Sequence, residues 1–543
     1  MNQPPDPASG QSRPMKPVTL ILAATMLAAG AAVAAHAKDL AFCAAQNPEG
    51  FDPAPHIAGA TFDASSQAIY NRLVEFAPAT TRPVPGLAEG WDVSEDGLEY
   101  TFHLRQGIKF HSTYFFTPTR DLNADDVVFS LTRQVDRKNP YYGYAGGTWP
   151  YFEGMAMPAL VESVTKIDDA TVKIRLTRPD AAILGDLAMD FASIVSKEYA
   201  DALLKAKTPG DLDRLPIGTG PFQFVGYQPD VRINYRANPN YWRGKPAIDH
   251  LAFLINPDPL ARAQMLGSGT CQVMADPTPE AIAKLKDAAN VTVLQSDAAD
   301  VAYLAYNTKQ KPFDDVRVRQ ALNQAIDRRA LVDAIYGGEA SPADSPLPAS
   351  MWSHVAAIPD GAADPDAAKA ALAGAGVSDL KMKIWVPPVS RRYDPDPKHM
   401  AEMIKSDLAK AGVTAEIVSD DHGAFIKKTA APDRDGAALF GWTSDNGDPD
   451  NFLGALLGCD TVGISNRAQW CNSDFDKAVL DARKAADPGE RLKLYETAQH
   501  VFADNAPWLT IAHTKVSVPI AKTVKNYVVD PLGHHDFEGV DVE

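Results

Sequence analysis

The chain has 543 residues, of which 52 are Lys or Arg and 69 are Asp or Glu, so its formal net charge is −17. This balance argues against a protein that binds nucleic acid or an anionic membrane through a basic patch. Hydrophobic residues make up 45% and charged residues 22% of the chain, which argues against wholesale disorder. We therefore expect an acidic, folded protein, long enough for about three domains.

The N-terminus has the pattern of an export signal. Arg13 and Lys16 precede an uncharged run at 18–35, and Ala-His-Ala at 35–37 comes before Lys38. A basic start, an apolar stretch and a small-x-small site are typical of a cleavable signal peptide. A membrane anchor is the alternative, because the run approaches spanning length. We favour cleavage after residue 37, since the second half of the run is rich in Ala and Gly.

Strand signals dominate the first part of the mature chain. Residues 98–105 alternate apolar and polar side chains after an Asp-Gly turn at 96–97, and residues 171–176 do the same after two aspartates. Alternation with a period of two, bounded by turn residues, predicts antiparallel hairpins.

Helix and strand signals alternate from about residue 313. Asp314 or Asp315 can cap one long amphipathic helix, which the glycines at 337–338 would end. The later elements follow in order: a strand at 380–386, a helix at 397–411 and a strand at 437–442. Asp396 precedes the second helix as its expected cap. The alternation predicts an α/β fold for this half.

Familiar catalytic motifs are absent from the sequence, including GxSxG, HExxH, CxxC, GxGxxG and a Walker loop. Gly-Thr-Gly-Pro at 218–221 fits a tight turn better than a phosphate cradle, because Pro removes an amide and no Lys follows. The His-His-Asp run at 534–536 fits a solvated tail better than half a metal site. We interpret Asp394 as part of a solvated loop. The sequence therefore predicts a protein that is not an enzyme and has no metal or cofactor.

Two charged positions follow predicted strands. Arg391 comes after the strand that ends at Val386, and Asp445 comes after the strand that ends at Trp442. Ligands of open α/β sheets bind outside the carboxyl ends of the strands. Position alone thus makes the two charges candidates for one ligand site.

Several longer segments point to a known family. They are NPEGFDP at 47–53, YNRLVEF at 70–76, GLAEGWDVSEDGLEYTFHLRQGIKFH at 86–111, LNADDVVFS at 122–130, LAMDFASIVSKEYADAL at 187–203, PIGTGPFQF at 216–224, GWTSDNGDPDNF at 441–452 and VVDPLGHHDFE at 528–538. Together they resemble the periplasmic dipeptide-binding proteins of ABC importers, within the extracellular solute-binding family of peptide, nickel, haem and glutathione receptors.

The resemblance implies a two-lobed periplasmic binding protein fold of type II, with three subdomains that close on a hinge. Lobe I would comprise residues 38–304 and 513–543, with an inserted subdomain near 71–219, and lobe II would comprise 305–512. The expected partners are a dipeptide ligand and an inner-membrane ABC permease, but no nucleic acid. We expect a monomer in the periplasm.

The resemblance also implies the site residues. Asp445 would take the ligand ammonium and Arg391 its carboxylate, charge types that suit the two ends of a peptide. The other residues implied at the site are Tyr393, Gly441, Trp442, Thr443 and Ser444. Arg392 departs from the family pattern and offers a second carboxylate clamp, and Ile57 replaces a hydroxyl residue near the expected pocket.

Two rival functions remain at this point. The same fold can be tuned to haem, glutathione or another small ligand, which Arg392 and His422 would favour. A secreted peptidase is the rival of another class, but it needs a nucleophile with a base or a metal site, and the sequence offers no recognisable form of either.

The four cysteines allow three pairings. An exported protein can hold disulfides. The resemblance implies that Cys43 pairs with Cys271 and Cys459 with Cys471.

Overall fold

The computed structural model describes residues 37–359 and 361–543. The predicted signal peptide at 1–37 falls almost entirely outside the described residues. Among the residues that are described, no helix combines the length and the apolar character needed to cross a bilayer.

The strands of the described chain run in this order: β1 (Asp39–Ala44), β2 (Val74–Phe76), β3 (Pro83–Pro85), β4 (Ala88–Val93), β5 (Glu99–Leu104), β6 (Val161–Asp168), β7 (Thr171–Leu176), β8 (Phe222–Gln228), β9 (Arg232–Ala237), β10 (His250–Ile255), β11 (Val273–Met274), β12 (Val291–Asp297), β13 (Asp300–Tyr306), β14 (Ala340–Pro342), β15 (Lys381–Val386), β16 (Thr414–Ser419), β17 (Ala437–Thr443), β18 (Trp508–Ala521), β19 (Val524–Lys525) and β20 (Asp541–Val542).

The α-helices are α1 (Gly59–Ala64), α2 (Ala124–Thr132), α3 (Pro150–Gly154), α4 (Met157–Leu160), α5 (Ile183–Asp186), α6 (Lys197–Ala206), α7 (Pro259–Gly267), α8 (Pro279–Leu285), α9 (Val316–Ala325), α10 (Arg328–Tyr336), α11 (Pro365–Gly374), α12 (Pro397–Lys410), α13 (His422–Ala430), α14 (Asp450–Leu457), α15 (Ser473–Lys484) and α16 (Pro488–Asn505). Short 3₁₀ turns lie at Asp190–Ala192, Pro209–Leu212 and Cys459–Thr461.

The largest sheet has the strand order β16-β15-β17-β13-β18-β11-β1-β10-β9-β8, and β12 and β14 also pair with β18. The long strand β18 lies in the middle of this sheet, between β13 and β11. Its first part pairs with β13 and its last part pairs with β12, both in antiparallel register. One strand therefore links two α/β halves.

Separate hydrophobic cores define these halves as two lobes. One core gathers buried residues from 40–291 and 518–540, and we call the part around it lobe I. Two smaller cores gather buried residues from 301–512, and we call the part around them lobe II. Because β13 lies between β17 and β18 in lobe II, a boundary after residue 304 would cut this strand.

The predicted hairpins of lobe I are confirmed. Strands β4, β5, β7 and β6 form an antiparallel four-stranded sheet, in that order. The inward side chains of β5 are buried, as the alternation predicts: Tyr100, Phe102 and Leu104 are at most 3% exposed.

The predicted elements of lobe II are confirmed except for one helix. Strands β15 and β17 and helix α12 lie where the sequence places them, and the Asp396 side chain accepts a hydrogen bond from the His399 amide as the cap of α12. The single helix predicted after Asp315 is wrong. Ile326 is extended, and Asp327 caps a second helix, α10, by accepting from the Ala330 amide. A capping residue inside an apolar pattern thus divides the helix.

Two disulfides fasten the fold. Cys43 in β1 is bonded to Cys271, 228 residues away, and both cysteines are fully buried in lobe I. Cys459 is bonded to Cys471 across a separation of 12 residues in lobe II. These are the pairs that the resemblance implies.

Candidate ligand-binding site

Asp445 lies just beyond the end of β17, where Asn451 holds it by two hydrogen bonds. The Asn451 side-chain amide donates to Asp445 Oδ2 at 3.3 Å, and its carbonyl oxygen accepts from the Asp445 amide at 3.1 Å. The same oxygen accepts from the Trp442 indole at 2.8 Å, which fixes Asn451 in turn. Asn451 therefore fixes the orientation of the Asp445 carboxylate.

The negative charge of Asp445 has no counter-charge among the described residues. Burial raises the pKa of Asp445, and the hydrogen bond from Asn451 opposes this rise. Among the described residues, no cation contributes to this pKa. Burial and then the negative charge of Asp445 raise the pKa of Tyr151, a residue of lobe I, to about 12. A half-buried carboxylate without a cation can receive an ammonium group.

The end of β17 forms the floor beside Asp445. Gly441, Trp442 and Thr443 pair with Ala302, Val301 and Asp300 of β13. Ser444 is 6% exposed, and its amide donates to the Ala299 carbonyl at 2.8 Å.

A glycine is required at position 441. A Cβ there would lie 2.1 Å from the Tyr393 ring, so only glycine admits the ring. The predicted residues of the two loops thus meet at this contact.

Arg391 lies in a tight turn that follows β15. The Arg391 amide donates to the Asp394 carbonyl at 2.9 Å, and the Asp394 amide donates back at 3.0 Å. Burial raises the pKa of Tyr393, and the Arg391 guanidinium, which interacts with the Tyr393 hydroxyl, opposes the shift. Arg391 is exposed and forms no ion pair with any described residue, so its charge is available to a ligand.

Arg392 points away from this group. Its Nε donates to Asp300 Oδ2 at 3.3 Å, and Asp300 is fully buried, accepting from the Thr514 amide and hydroxyl at 2.9 and 2.6 Å. Arg392 lines a different cavity, of about 360 Å³. The second clamp that the sequence offers is already engaged by Asp300.

The sequence-based interpretation of Asp394 as part of a solvated loop is wrong. Asp394 is 1% exposed, and neither carboxylate oxygen has a hydrogen-bond partner among the described residues. Burial, together with the nearby charge of Asp396, raises the pKa of Asp394 to about 7. The tight turn carries this carboxyl inward as it turns Arg391 outward.

A cavity of about 440 Å³ brings Asp445 together with lobe I. Most of its charged lining from lobe I comes from two distant segments, near residue 72 and near residue 536, and Asp190 and Arg243 complete it. The lining residues used below are Asn71, Arg72, Glu75, Asp190, Arg243, Asp530, His534, Asp536 and Glu538. Ile57, expected near the pocket, is 58% exposed and does not line this cavity.

The sequence suggested that the His-His-Asp run at 534–536 is a solvated tail, and this interpretation is wrong. His535 is 4% exposed, and its amide donates to Asp63 at 2.8 Å. His534 lies 3.4 Å from Asp190 and 3.3 Å from Asp530. Burial disfavours the charged imidazolium, but the two carboxylates outweigh it and raise the pKa of His534 to about 10. His534 is therefore a half-buried cation of the cavity wall.

Ion pairs tie the two distant segments together. Arg243 lies 2.5 Å from Glu75 and 3.1 Å from Glu538. In the sequence, these segments served to mark the resemblance, and the His-His-Asp run was interpreted as a solvated tail. Sequence reasoning missed their part in the cavity because Arg72 and His534 are far apart in the chain and neither stands in a recognisable motif.

Two α/β lobes around a cleft with charged walls define a solute-binding protein. The model of the family described as bacterial extracellular solute-binding proteins, family 5, middle part, matches residues 82–463. The chain belongs to this family, whose members are substrate-binding proteins.

Named relatives cover nearly the whole chain. The dipeptide-binding protein of Escherichia coli (strain K12) is 48% identical, over 96% of this chain and 98% of that protein. Haem-binding protein A of Haemophilus influenzae is 46% identical, over 92% of each chain. The solved structure of HbpA2 from Haemophilus parasuis has a TM-score of 0.90 and 42% identity, over 93% of this chain and all of that one. These comparisons support the two-lobed fold.

Proposed function

We propose that this protein is the periplasmic receptor of an ABC importer and that it binds dipeptides as zwitterions. Asp445 binds the ligand ammonium and Arg391 binds the carboxylate. The observation that carries the proposal is the Asp445 carboxylate, which Asn451 orients in the cleft and which no described cation answers. Arginine suits the other end, because a guanidinium can bind a carboxylate through two parallel hydrogen bonds.

The spacing of two fixed charges would limit the length of the ligand. An extended dipeptide spans roughly 7 Å between its ends. Longer peptides place their carboxylate beyond the reach of a clamp set for that span. Gly441, Trp442, Thr443 and Ser444 would pair with the ligand main chain as an added strand, and Tyr393 would cover it.

Ligand capture would proceed by closure of the lobes. We place the crossing segments at 297–300, between β12 and β13, and at 513–515 in β18, because the pairing of β18 changes there from lobe II to lobe I. A ligand that contacts both lobes stabilises the closed population. The closed receptor, a monomer, would then deliver the ligand to a membrane permease.

A non-dipeptide ligand is the second candidate, since a haem-binding protein is 46% identical to this chain. The residues that favoured it in the sequence lie elsewhere. Arg392 is paired with Asp300, and His422 is exposed at the start of α13. We therefore place the dipeptide first.

Calorimetry with end-capped peptides tests the proposal. Free Ala-Ala should bind. N-acetylation removes the ammonium charge that would pair with Asp445, and amidation removes the carboxylate charge that would pair with Arg391, so each should weaken binding. Equal affinity for free and doubly capped Ala-Ala would contradict the zwitterion clamp.

Mass spectrometry of ligand released from freshly purified, denatured protein should show dipeptides, and a recovered haem would favour the second candidate. Ala-Ala incubated with the protein should be recovered intact, whereas free alanine would indicate a peptidase.

A further inference from the structure

Arg72 is a buried cation in the wall that faces Asp445. It precedes β2, and its carbonyl accepts from the Leu87 amide at 2.8 Å, which fixes the backbone. Arg72 is 8% exposed and lines the same cavity of about 440 Å³ as Asp445. Its side chain therefore belongs to lobe I and points to the cleft.

The positive charge of Arg72 is already balanced. Its Nη1 lies 3.7 Å from Asp190 Oδ1, which is an ion-pair distance but not a hydrogen bond. Asp190 Oδ1 instead accepts hydrogen bonds from the Ser66 hydroxyl and from Gln67 Nε2, the latter at 3.0 Å. Asp190 Oδ2 faces His534. Arg72 thus has a counter-charge without an acceptor.

The donors of Arg72 are unused. No hydrogen bond within the described chain involves its guanidinium, and Nε and Nη1 are completely buried. Six other arginines in the described chain are comparably buried, and each donates at least one hydrogen bond: Arg133, Arg262, Arg319, Arg434, Arg467 and Arg491. Buried guanidinium groups normally have acceptors, so Arg72 is prepared for one that the chain does not supply.

The missing acceptor should be a neutral oxygen. Carboxylates outnumber cations in the lining of this cavity, six against three, so an additional anion would be repelled. A carbonyl oxygen accepts hydrogen bonds without adding charge. In a dipeptide, the peptide carbonyl belongs to the residue that carries the ammonium group, so a ligand held at Asp445 brings this carbonyl into the cavity.

We propose that Arg72 is a ligand-binding residue of lobe I, which donates to the peptide carbonyl of a dipeptide whose ammonium is held by Asp445. This inference rests on the proposed function. It gives the ligand a contact in lobe I in addition to those in lobe II, so that binding favours the closed state. The contact involves the main chain of the ligand, so the contribution of Arg72 to affinity should be similar for all dipeptides.

The test compares two ligands of matched length. Gly-Gly has a peptide carbonyl, whereas 5-aminopentanoic acid has the same ammonium and carboxylate at similar separation, joined by four methylene groups with no peptide unit. Calorimetry with Arg72→Met should show Gly-Gly binding weakened about tenfold or more, the usual effect of a hydrogen bond to a charged group. Binding of 5-aminopentanoic acid should change less than about threefold in the same experiment. Arg72→Lys, which keeps the charge beside Asp190, should behave like Arg72→Met toward the two ligands.

A control variant separates this role from a structural one. Arg262→Lys alters another buried arginine of lobe I, which lies outside this cavity and already donates to the carbonyls of Asn256 and Asp276, and it should leave Gly-Gly affinity nearly unchanged. Equal loss for both ligands in Arg72→Met would overturn the inference and assign Arg72 a structural role. Undiminished Gly-Gly binding would overturn it as well. If the wild-type protein did not bind Gly-Gly, the proposed function would fail too, so the two failures are distinguishable.

Discussion

Under the proposed function, the charge of Asp445 is the most direct point at which to perturb ligand binding. Asp445→Asn keeps the shape of the side chain and an oxygen that can accept from Asn451, but it removes the negative charge. Opposite charges about 4 Å apart attract by about 4 kcal/mol at an effective dielectric constant of about 20. The replacement amide can still accept a hydrogen bond from the ligand ammonium, worth about 1 kcal/mol. We therefore expect a net loss of about 3 kcal/mol.

Isothermal titration calorimetry with Ala-Ala measures this loss directly. About 3 kcal/mol corresponds to roughly a hundredfold weaker binding. Asn451→Ala should cost less, about three- to tenfold, because it releases the carboxylate from its position and leaves the charge in place.

Asp474→Asn is the matched control, since it removes an exposed charge of lobe II at α15 and should not alter affinity. A loss below about threefold in Asp445→Asn would refute the reasoning, because the ammonium would then have another partner.

Four further outcomes are expected. Arg391→Ala should weaken Ala-Ala binding by about a hundredfold, and Arg392→Ala by much less, because Arg392 is engaged by Asp300; equal losses in calorimetry would reverse these roles. Saturating Ala-Ala should lower the radius of gyration in small-angle scattering, and an unchanged value would remove the hinge model. Replacing Cys43 and Cys271 by Ser should cost about 2.6 kcal/mol more in urea unfolding than replacing the cysteines of the short loop, because the closed loops differ in length; equal costs would argue against the loop-entropy explanation. Asp394→Asn should raise the free energy of unfolding at pH 8 by roughly 2 to 4 kcal/mol and have little effect below about pH 4.

The sign of the Asp394 effect follows from proton binding. The folded protein holds the proton with a pKa of about 7, whereas an unfolded Asp has a pKa of about 3.9. The native state therefore binds more protons between these values, and the stability of the wild-type protein falls as pH rises through them. Asn does not titrate, so the variant should lack this dependence in urea unfolding at several pH values. An identical pH profile in both proteins would contradict the burial of an unpartnered carboxyl.

Elements with complete local signals could be predicted from the sequence. Helix α12 has an aspartate cap, a proline in its first turn and Gly412 after its end, and its limits match. The break between α9 and α10 was missed because the apolar period continues across it, while Asp327 shows its capping role only once its side chain is placed. Local sequence patterns thus predict the presence of a helix more reliably than they predict a break within it.

The site could be predicted only in part, for a similar reason. The sequence pointed to Asp445 and Arg391 because both follow strands, and the structure puts these two loops in contact through Tyr393 and Gly441. It gave no sign that Arg72 and His534 share a wall with Asp445. Contacts between such distant positions depend on how the lobes fold together, which a local pattern does not contain.

The position of β18 affects how the chain folds. This strand is the neighbour of β13 in lobe II and of β11 and β12 in lobe I, yet it begins only at Trp508 of a 543-residue chain. A nascent chain that stops short of Trp508 leaves the strand edges of both lobes without their partner, although most of their residues are already present. Neither lobe can complete its sheet early in synthesis, and the last strand that both require makes their folding a single, late event.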